Sequence, residues 1–277
     1  MKCIICENSS HKPFYEGLLK CKMCGHVFAD ISITDKELRE LYRKNYFFGE
    51  EYNDYIADSN ILRKNFRLRK NSLSQFVDKD THKNLLEIGC AYGFFLDEVK
   101  NQFIKVKGID ISEDAINYAK NKLKLDVTQT EFLDFQSEMS FDVVCMWDTI
   151  EHLKEPQMYI DKLSKITPTG GLLAITTGDI GSLMARIRRK NWRMIHPPTH
   201  LHYFTKKTLK QLFEKYGYEI IHMEYCGFYR SFDFTLYNIL VLRSQLEWLY
   251  NLIKERGFDF NYYFNSFDIL YLIGMKK

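Results

Sequence analysis

The chain has 277 residues, 45% of them apolar and 27% charged, with a formal net charge of +3. That length accommodates one large α/β domain with a small appendage, and the composition excludes bulk disorder. The charge is too small to demand nucleic acid or an anionic lipid surface, and no run of about 18 uncharged apolar residues predicts a membrane span.

The opening "MKCIICENSS" lacks the basic-then-apolar layout of a signal peptide, so a cytoplasmic chain is expected. Seven cysteines in such a chain read as metal ligands or buried thiols rather than disulfides. Cys3-x-x-Cys6 and Cys21-x-x-Cys24 stand fourteen residues apart and supply four thiolates for a tetrahedral, structural Zn2+. Gly25 suits the turn of the second knuckle, and His26 could replace a cysteine. A metal staple makes physical sense there, because about 30 residues cannot build a core of their own. The expected layout is a zinc ribbon over 1–30, a helical linker or cap over 31–82, and a large domain over 83–277.

Within the linker, "SITDKELRELYRKNYFFGEEY" opens with Thr34 as an N-cap and Glu37 three residues later, a capping box. "ILRKNFRLRKNSLSQFV" follows as a second amphipathic helix carrying Arg63, Lys64, Arg67, Arg69 and Lys70, either a solvated face or a phosphate-facing rim. From Lys83 strands and helices alternate through "NLLEIG", "VKGIDIS", "LDVTQTEF", "FDVVCMWDTI" and "GGLLAITTG", the rhythm of a parallel sheet wrapped by helices. A helix "TKKTLKQLFEKYG", a strand "YEIIHMEYCGF", an amphipathic segment Leu236–Arg256 and a last strand "FDILYLIGMKK" complete the chain. Gly257 stands where a glycine would stop the amphipathic helix, which is expected to pack on the sheet or on a second subunit. A lid or a peripheral membrane contact is its alternative role, and monomer and homodimer both stay open.

The stretch "LLEIGCAYGFFLDEV" ends an apolar strand in an acid, Glu87, and then places Gly89 and Gly93 at the mouth of a helix. Glycines there let a ligand approach bare backbone. The spacing is not that of the dinucleotide fingerprint, and Glu87 would repel a pyrophosphate but suit an ammonium. Asp110 ends the next strand, seventeen residues after Gly93, and can accept hydrogen bonds from both hydroxyls of a ribose. Each residue also has a plainer reading, as a turn glycine or a helix cap.

Taken together, Leu86-Glu87-Ile88-Gly89 through Gly93 and then Asp110 resemble motifs I and II of class I S-adenosylmethionine-dependent methyltransferases. "TEFLDF" resembles the segment that meets adenine, here Glu131 and Phe132, and "FDVVCMWDTIEHL" resembles the fourth-strand motif with its acid and histidine. "TPTGGLLAITT" resembles the turn into the fifth strand, with a threonine between Pro168 and Gly170. The likeness runs from Asn84 to Lys277 and makes 83–277 the methyltransferase domain. It implies an α/β fold with a seven-stranded, mostly parallel Rossmann-like sheet. It also implies S-adenosylmethionine held by Glu87, Gly89, Cys90, Ala91, Gly93, Asp110, Ile111, Glu131, Phe132, Trp147 and Asp148.

Beyond the fifth strand, "ARIRRKNWRMIHPPTHLHYFT" carries Arg186, Arg188, Arg189, Lys190 and Arg193, then His196, His200 and His202 around Pro197-Pro198. Methyl transfer to a hydroxyl requires removal of one proton. The candidate bases are His200 first, then His152 and His202, with main-chain hydrogen bonding as the alternative role of each. No clustered carboxylates for a metal-dependent O-methylation stand out. The "W…PPTHLHYFTKKTL…GY" pattern and the cysteine-rich start are similar to methyltransferases found beside glycosyltransferases in polysaccharide and glycolipid clusters. That resemblance implies a sugar, nucleotide-sugar or related phosphorylated acceptor in surface polysaccharide biosynthesis, with the arginines on phosphate. The alternatives are sugar C-methylation, rRNA base methylation and a non-catalytic cofactor-binding module. Local rather than continuous basic residues disfavour nucleic acid.

Overall fold

The structure, a computed structural model, describes residues 2–34, 37, 55–255, 257 and 260–277. It begins with an antiparallel meander of β1 (His11–Tyr15), β2 (Leu18–Cys21) and β3 (Val27–Ala29). Helix α1 (Ser59–Ser74) leads into β4 (Asn84–Ile88), α2 (Phe94–Val99), β5 (Lys105–Asp110), α3 (Glu113–Asn121) and β6 (Val127–Gln129). Then come β7 (Val143–Trp147), α4 (Pro156–Ile166), β8 (Leu172–Gly178), α5 (Leu183–Arg188), β9 (His202–Tyr203) and α6 (Lys206–Lys215). The chain closes with β10 (Tyr218–Tyr225), β11 (Phe228–Ser231), α7 (Phe232–Tyr237), α8 (Glu247–Lys254), β12 (Asn261–Phe264) and β13 (Ile269–Lys276).

The large sheet has seven strands in the order β10-β13-β8-β7-β4-β5-β6, and β13 runs against both its neighbours. The remaining pairings are parallel, as the alternation of elements predicts. Parallel strands are covered on both faces and so read as continuous apolar runs, and every residue of β7 and β8 is buried. Side chains alternate between two cores: Leu85, Val143, Ala174 and Ile273 face one side, Leu86, Val144, Leu173 and Leu272 the other. Local signals agree with the tertiary ones. Ser112 caps α3, Pro156 opens α4, and Thr205 with Thr208 forms a capping box on α6. Chain order reverses between β4 and β7, and there the carboxyl ends of the strands open a crevice.

Four features bear on the expectations. The N-terminal meander is completed by a strand of the large domain: β9 pairs with β3 through Val27↔Tyr203 and Phe28↔His202. The Thr34–Glu37 capping box is present, with Glu37 N donating to Thr34 Oγ1 at 3.2 Å and Thr34 N to Glu37 Oε2 at 2.8 Å. The rest of that predicted helix, residues 35, 36 and 38–54, lies outside the described residues. The amphipathic segment is broken: α7 runs into a π-helical stretch Asn238–Arg243, and Gln245 at φ 55° interrupts it before α8. Its apolar side does not lie on the sheet, since Ile239, Trp248 and Leu252 are 50%, 66% and 43% exposed. On the basic face of α1, Arg63 pairs with Asp97 at 2.7 Å and Arg67 with Glu98 at 2.9 Å, while Lys64 is exposed. Among the described residues no helix is long and apolar enough to cross a membrane.

Candidate active site

A cavity of about 530 Å³ opens at the carboxyl ends of β4, β5 and β7. Its floor is the glycine turn, and the two glycines serve different ends. Gly89 has φ 75°, and a Cβ there would stand 2.7 Å from Thr149 Oγ1, so only glycine fits the turn against that side chain. Gly93, at φ 76°, does not line the cavity. A Cβ on it would strike Leu125 Cδ1 at 2.6 Å and Ala119 Cβ at 3.1 Å, so its bareness lets α2 begin against α3. The expectation that Gly93 meets the ligand is corrected accordingly.

The other residues expected to hold the cofactor, from Glu87 to Asp148, all line the cavity. Asp110 is pinned by its own surroundings: Oδ2 accepts from Ala91 N and Oδ1 from Ser112 N, both at 2.8 Å. Each oxygen keeps a second lone pair for a ligand hydroxyl. Glu87 is 2% exposed, and its Oε2 has no hydrogen-bond partner. Burial, and then the charge of Asp110, hold the Glu87 carboxyl well above the usual carboxylate range. An orphaned carboxylate in a cavity wall calls for a cation. The end of β7 contributes Trp147 and Asp148, the latter at φ 47° with its N donating to Thr176 O at 3.1 Å.

Two of the three candidate bases meet in this cavity. His152 stands in a short 3-10 turn, Ile150–His152, and its Nδ1 donates to Thr199 O at 2.8 Å. His200 Nδ1 donates to Met194 O at 2.8 Å, which leaves the Nε2 lone pair of the neutral ring as acceptor. The two ring centroids lie 4.5 Å apart. Burial pushes His152 down to about 4, and burial followed by His152 and His196 holds His200 well below its ordinary value. Both rings are therefore neutral at pH 7.

His202 is not part of this group, which corrects its place among the bases. It does not line the cavity, and both ring nitrogens are engaged elsewhere: Nδ1 sits 3.1 Å from His26 Nε2, and Nε2 donates to Lys154 O at 3.2 Å. Pairing of β9 with β3 turns the ring toward the N-terminal meander. Arg186, Arg188, Arg189 and Lys190 are exposed and outside the cavity, and of that run only Arg193 reaches it.

Two further lining residues, Arg69 and Glu151, were not among the expected site residues. Arg69 is 7% exposed and donates to Gly227 O at 3.1 Å. Its position was legible, because Leu62, Phe66, Arg69 and Leu73 fall on one helical stripe, the buried one. Glu151 joins His152 and His200 with ligand atoms within 4.8 Å of one another, all three buried. One carboxylate and two imidazoles suit a divalent cation, a set the search for clustered carboxylates passed over. At the N-terminus, Cys3 Sγ lies 3.5 Å from Cys24 Sγ and Cys6 Sγ 3.5 Å from Cys21 Sγ. A tetrahedron with Zn–S bonds of about 2.3 Å has edges of about 3.8 Å, so the four thiols fit a zinc ion with little rearrangement.

Residues 61–223, more than half of the chain, match the methyltransferase-domain family. The mitochondrial ubiquinone biosynthesis O-methyltransferase of Dictyostelium discoideum is 30% identical over 111 residues, 34% of this chain and 35% of that protein. The ubiquinone biosynthesis O-methyltransferase of Rickettsia typhi is 26% identical over 159 residues, 53% of this chain and 61% of that protein. The chain thus spans between about a third and three-fifths of the length of these curated relatives. The magnesium protoporphyrin IX methyltransferase of Synechocystis PCC 6803, solved with bound S-adenosyl-homocysteine, shares the fold. Its TM-score is 0.56 at 12% identity, over 88% of this chain and 100% of that one. The expectation of a sugar or phosphorylated-precursor acceptor in polysaccharide biosynthesis is overturned by the curated relatives, which are named for O-methylation in ubiquinone biosynthesis. With more than half of its length matched, the chain belongs to the methyltransferase-domain family.

Proposed function

We propose that this enzyme methylates a hydroxyl oxygen of a small aromatic acceptor of the quinone-precursor kind, with His200 as the base. The observation that carries the reading is the neutral, buried His200–His152 pair in the same cavity as Glu87 and Asp110. Bound S-adenosylmethionine supplies a methyl group already activated on a sulfonium, so the protein's work is orientation and removal of one proton. Asp110 would take the ribose hydroxyls, Glu87 the ammonium and Arg69 the carboxylate of the cofactor. Tyr55, Phe66, Met194 and Phe228 give the acceptor an apolar, aromatic wall. A histidine of lowered basicity suits a phenolic hydroxyl, whose pKa is about 10, far better than the much less acidic hydroxyl of an aliphatic alcohol.

The test is transfer of labelled methyl from S-adenosylmethionine to catechols and hydroquinols, with RNA and nucleotide-sugars alongside. Label on an aromatic oxygen supports the reading, and label only in RNA or sugar overturns it. His200→Gln is expected to lower kcat about 100- to 1,000-fold while S-adenosyl-homocysteine affinity stays unchanged. Because burial pushes His152 down to about 4 and holds His200 well below its ordinary value, activity is expected to persist at pH 6 and to be lost only on further acidification. A second reading is favoured by Glu151, His152 and His200 together, which could hold a divalent cation that acidifies the acceptor hydroxyl. Activity lost to a chelator and restored by magnesium would select it.

Glu87 yields a separate expectation for the cofactor. In the free enzyme burial, and then the charge of Asp110, raise its carboxyl pKa and favour the protonated form. A cationic ligand favours the carboxylate and lowers that pKa. Binding of S-adenosylmethionine should therefore release a proton, and affinity should weaken as pH falls through the raised value. Calorimetry in two buffers of different ionisation enthalpy measures the released fraction, and the release should vanish in Glu87→Gln.

The N-terminal thiols are read in the same way. Cys3, Cys6, Cys21 and Cys24 would hold a structural zinc ion that organises residues 1–30 as a ribbon.

A further inference from the structure

β11 and the loop before β9 both contribute to the cavity lining, and among the described residues one of their guanidiniums has no carboxylate partner. Residues i and i+2 of a strand share a face, and Phe228 and Arg230 of β11 both line the cavity. The alternate residue Tyr229 is tied to α1, its N donating to Asn65 Oδ1 at 2.6 Å and its O accepting from Asn65 Nδ2 at 3.2 Å. That anchoring fixes which face of the strand meets the cavity.

Arg193 and Arg230 flank the Phe228 ring, their guanidinium carbons 5.4 and 4.8 Å from its centroid. Only one of the two is neutralised. The carboxylate behind Arg193, Asp268, is fully buried outside the cavity lining and already receives Arg193 Nη2 at 3.0 Å, Trp192 Nε1 at 2.8 Å and the Ser266 hydroxyl. Among the described residues no carboxylate pairs with Arg230, and the side chain is half-buried. Burial, and then the Arg193 charge, press against its ionised form, and Tyr262 and Asp268 offset them only in part. A half-buried cation held beside another cation is unfavourable unless something negative arrives.

We infer that Arg230 forms an anion-accepting subsite for the acceptor, so that the preferred substrate is an aromatic diol bearing a carboxylate or like oxyanion. Phe228 would stack the ring of such a molecule while the guanidinium fork takes the acid group. This inference rests on reading the cavity as the meeting place of cofactor and acceptor. The cofactor brings one carboxylate of its own, for which Arg69 is the buried partner, so Arg230 stays available.

The probes are 3,4-dihydroxybenzoate and catechol, which differ only in the carboxylate. Their affinities are measured by calorimetry on the full chain saturated with S-adenosyl-homocysteine, in wild type, Arg230→Gln and Arg230→Lys. Wild type should prefer the carboxylated probe by about tenfold or more, the scale of a charge-assisted hydrogen bond. Arg230→Gln should abolish the preference and leave both catechol and S-adenosyl-homocysteine affinities within about twofold. Arg230→Lys should restore part of it. Equal affinity of the two probes in wild type overturns the inference, as does a preference that survives Arg230→Gln. An equal loss of S-adenosyl-homocysteine binding overturns it too, by assigning Arg230 to the cofactor. Methyl transfer from labelled S-adenosylmethionine to the same probes separates this from the functional reading. A charge preference in binding without any transfer leaves the subsite standing and sinks O-methylation of aromatic diols. Transfer to both probes at rates indifferent to Arg230 does the reverse.

Discussion

In an Asp110→Ala enzyme, affinity for S-adenosylmethionine is expected to fall about 100-fold or more, with the fold intact. Two effects add. The ribose hydroxyls lose a charged acceptor, and each such hydrogen bond contributes about 1.5–3 kcal/mol. The turn also loses its anchor, since the same carboxylate holds Ala91 N and Ser112 N at 2.8 Å. Ala91 sits at φ 44°, a conformation its neighbours must enforce, so freeing its N–H lets the turn drift from the geometry that meets the cofactor. Asp110→Asn keeps one acceptor oxygen and offers the second position a donor, so an intermediate loss is expected. Gly89→Val should match the alanine variant by another route, its side chain colliding with Thr149 in a backbone conformation that β-branched residues avoid. Calorimetric titration with S-adenosyl-homocysteine, beside circular dichroism for the fold, checks all three. Affinity unchanged in Asp110→Ala would remove Asp110 from the cofactor site.

The second large effect is expected at the far end of the chain. Structural zinc sites contribute on the order of 10 kcal/mol of apparent folding free energy, comparable to the whole stability of a domain. Cys21→Ser, or zinc removal by a chelator, should unfold the meander and lower Tm in a first, separate transition. The consequence should reach the active site through β9. Ala29 N donates to Leu201 O at 2.9 Å, Leu201 N to Glu151 O at 2.9 Å, and the Tyr203 hydroxyl to His200 O at 3.1 Å. Losing β3 thus loosens the segment that carries His200 and abuts Glu151, whereas the glycine turn and Asp110 belong to other elements. A drop in kcat of about tenfold or more with little change in S-adenosyl-homocysteine affinity is the expected split, of the size a small misplacement of a catalytic group produces. Metal analysis, a thermal melt and the two kinetic readouts test it. A zinc-free protein with an unaltered melt and full activity would contradict the ribbon reading.

Local chemistry explains why some of this was legible in the sequence. An apolar strand that runs into an acid identifies both Glu87, with Gly89 after it, and Asp110, since strand period and turn chemistry act within a few residues. What failed was what distant partners decide. His200 and His202 are two residues apart and looked equivalent. His26, 176 residues upstream and just before β3, claims His202, while His200 belongs to the cavity. Gly93 looked like a ligand glycine because the packing of Leu125 and Ala119 on it is tertiary. The amphipathic repeat over Leu236–Arg256 predicted one helix, yet Gln245 takes a positive φ and the helix restarts at Glu247. Arg69 was the reverse case. Its stripe position was visible, but its charge suggested a solvated face or a phosphate-facing rim. The acceptor was the least legible feature, because the wall that would meet it comes from β11 and the loop before β9, distant in sequence from the motifs.

A crystal structure of the enzyme soaked with S-adenosyl-homocysteine tests the central claim most directly. The adenosine should lie over the turn at Gly89, with both ribose hydroxyls on Asp110 and the amino group within hydrogen-bonding distance of Glu87. Adenosine bound elsewhere, or Asp110 still engaged only by Ala91 and Ser112 while Glu87 stays without a partner, would contradict it.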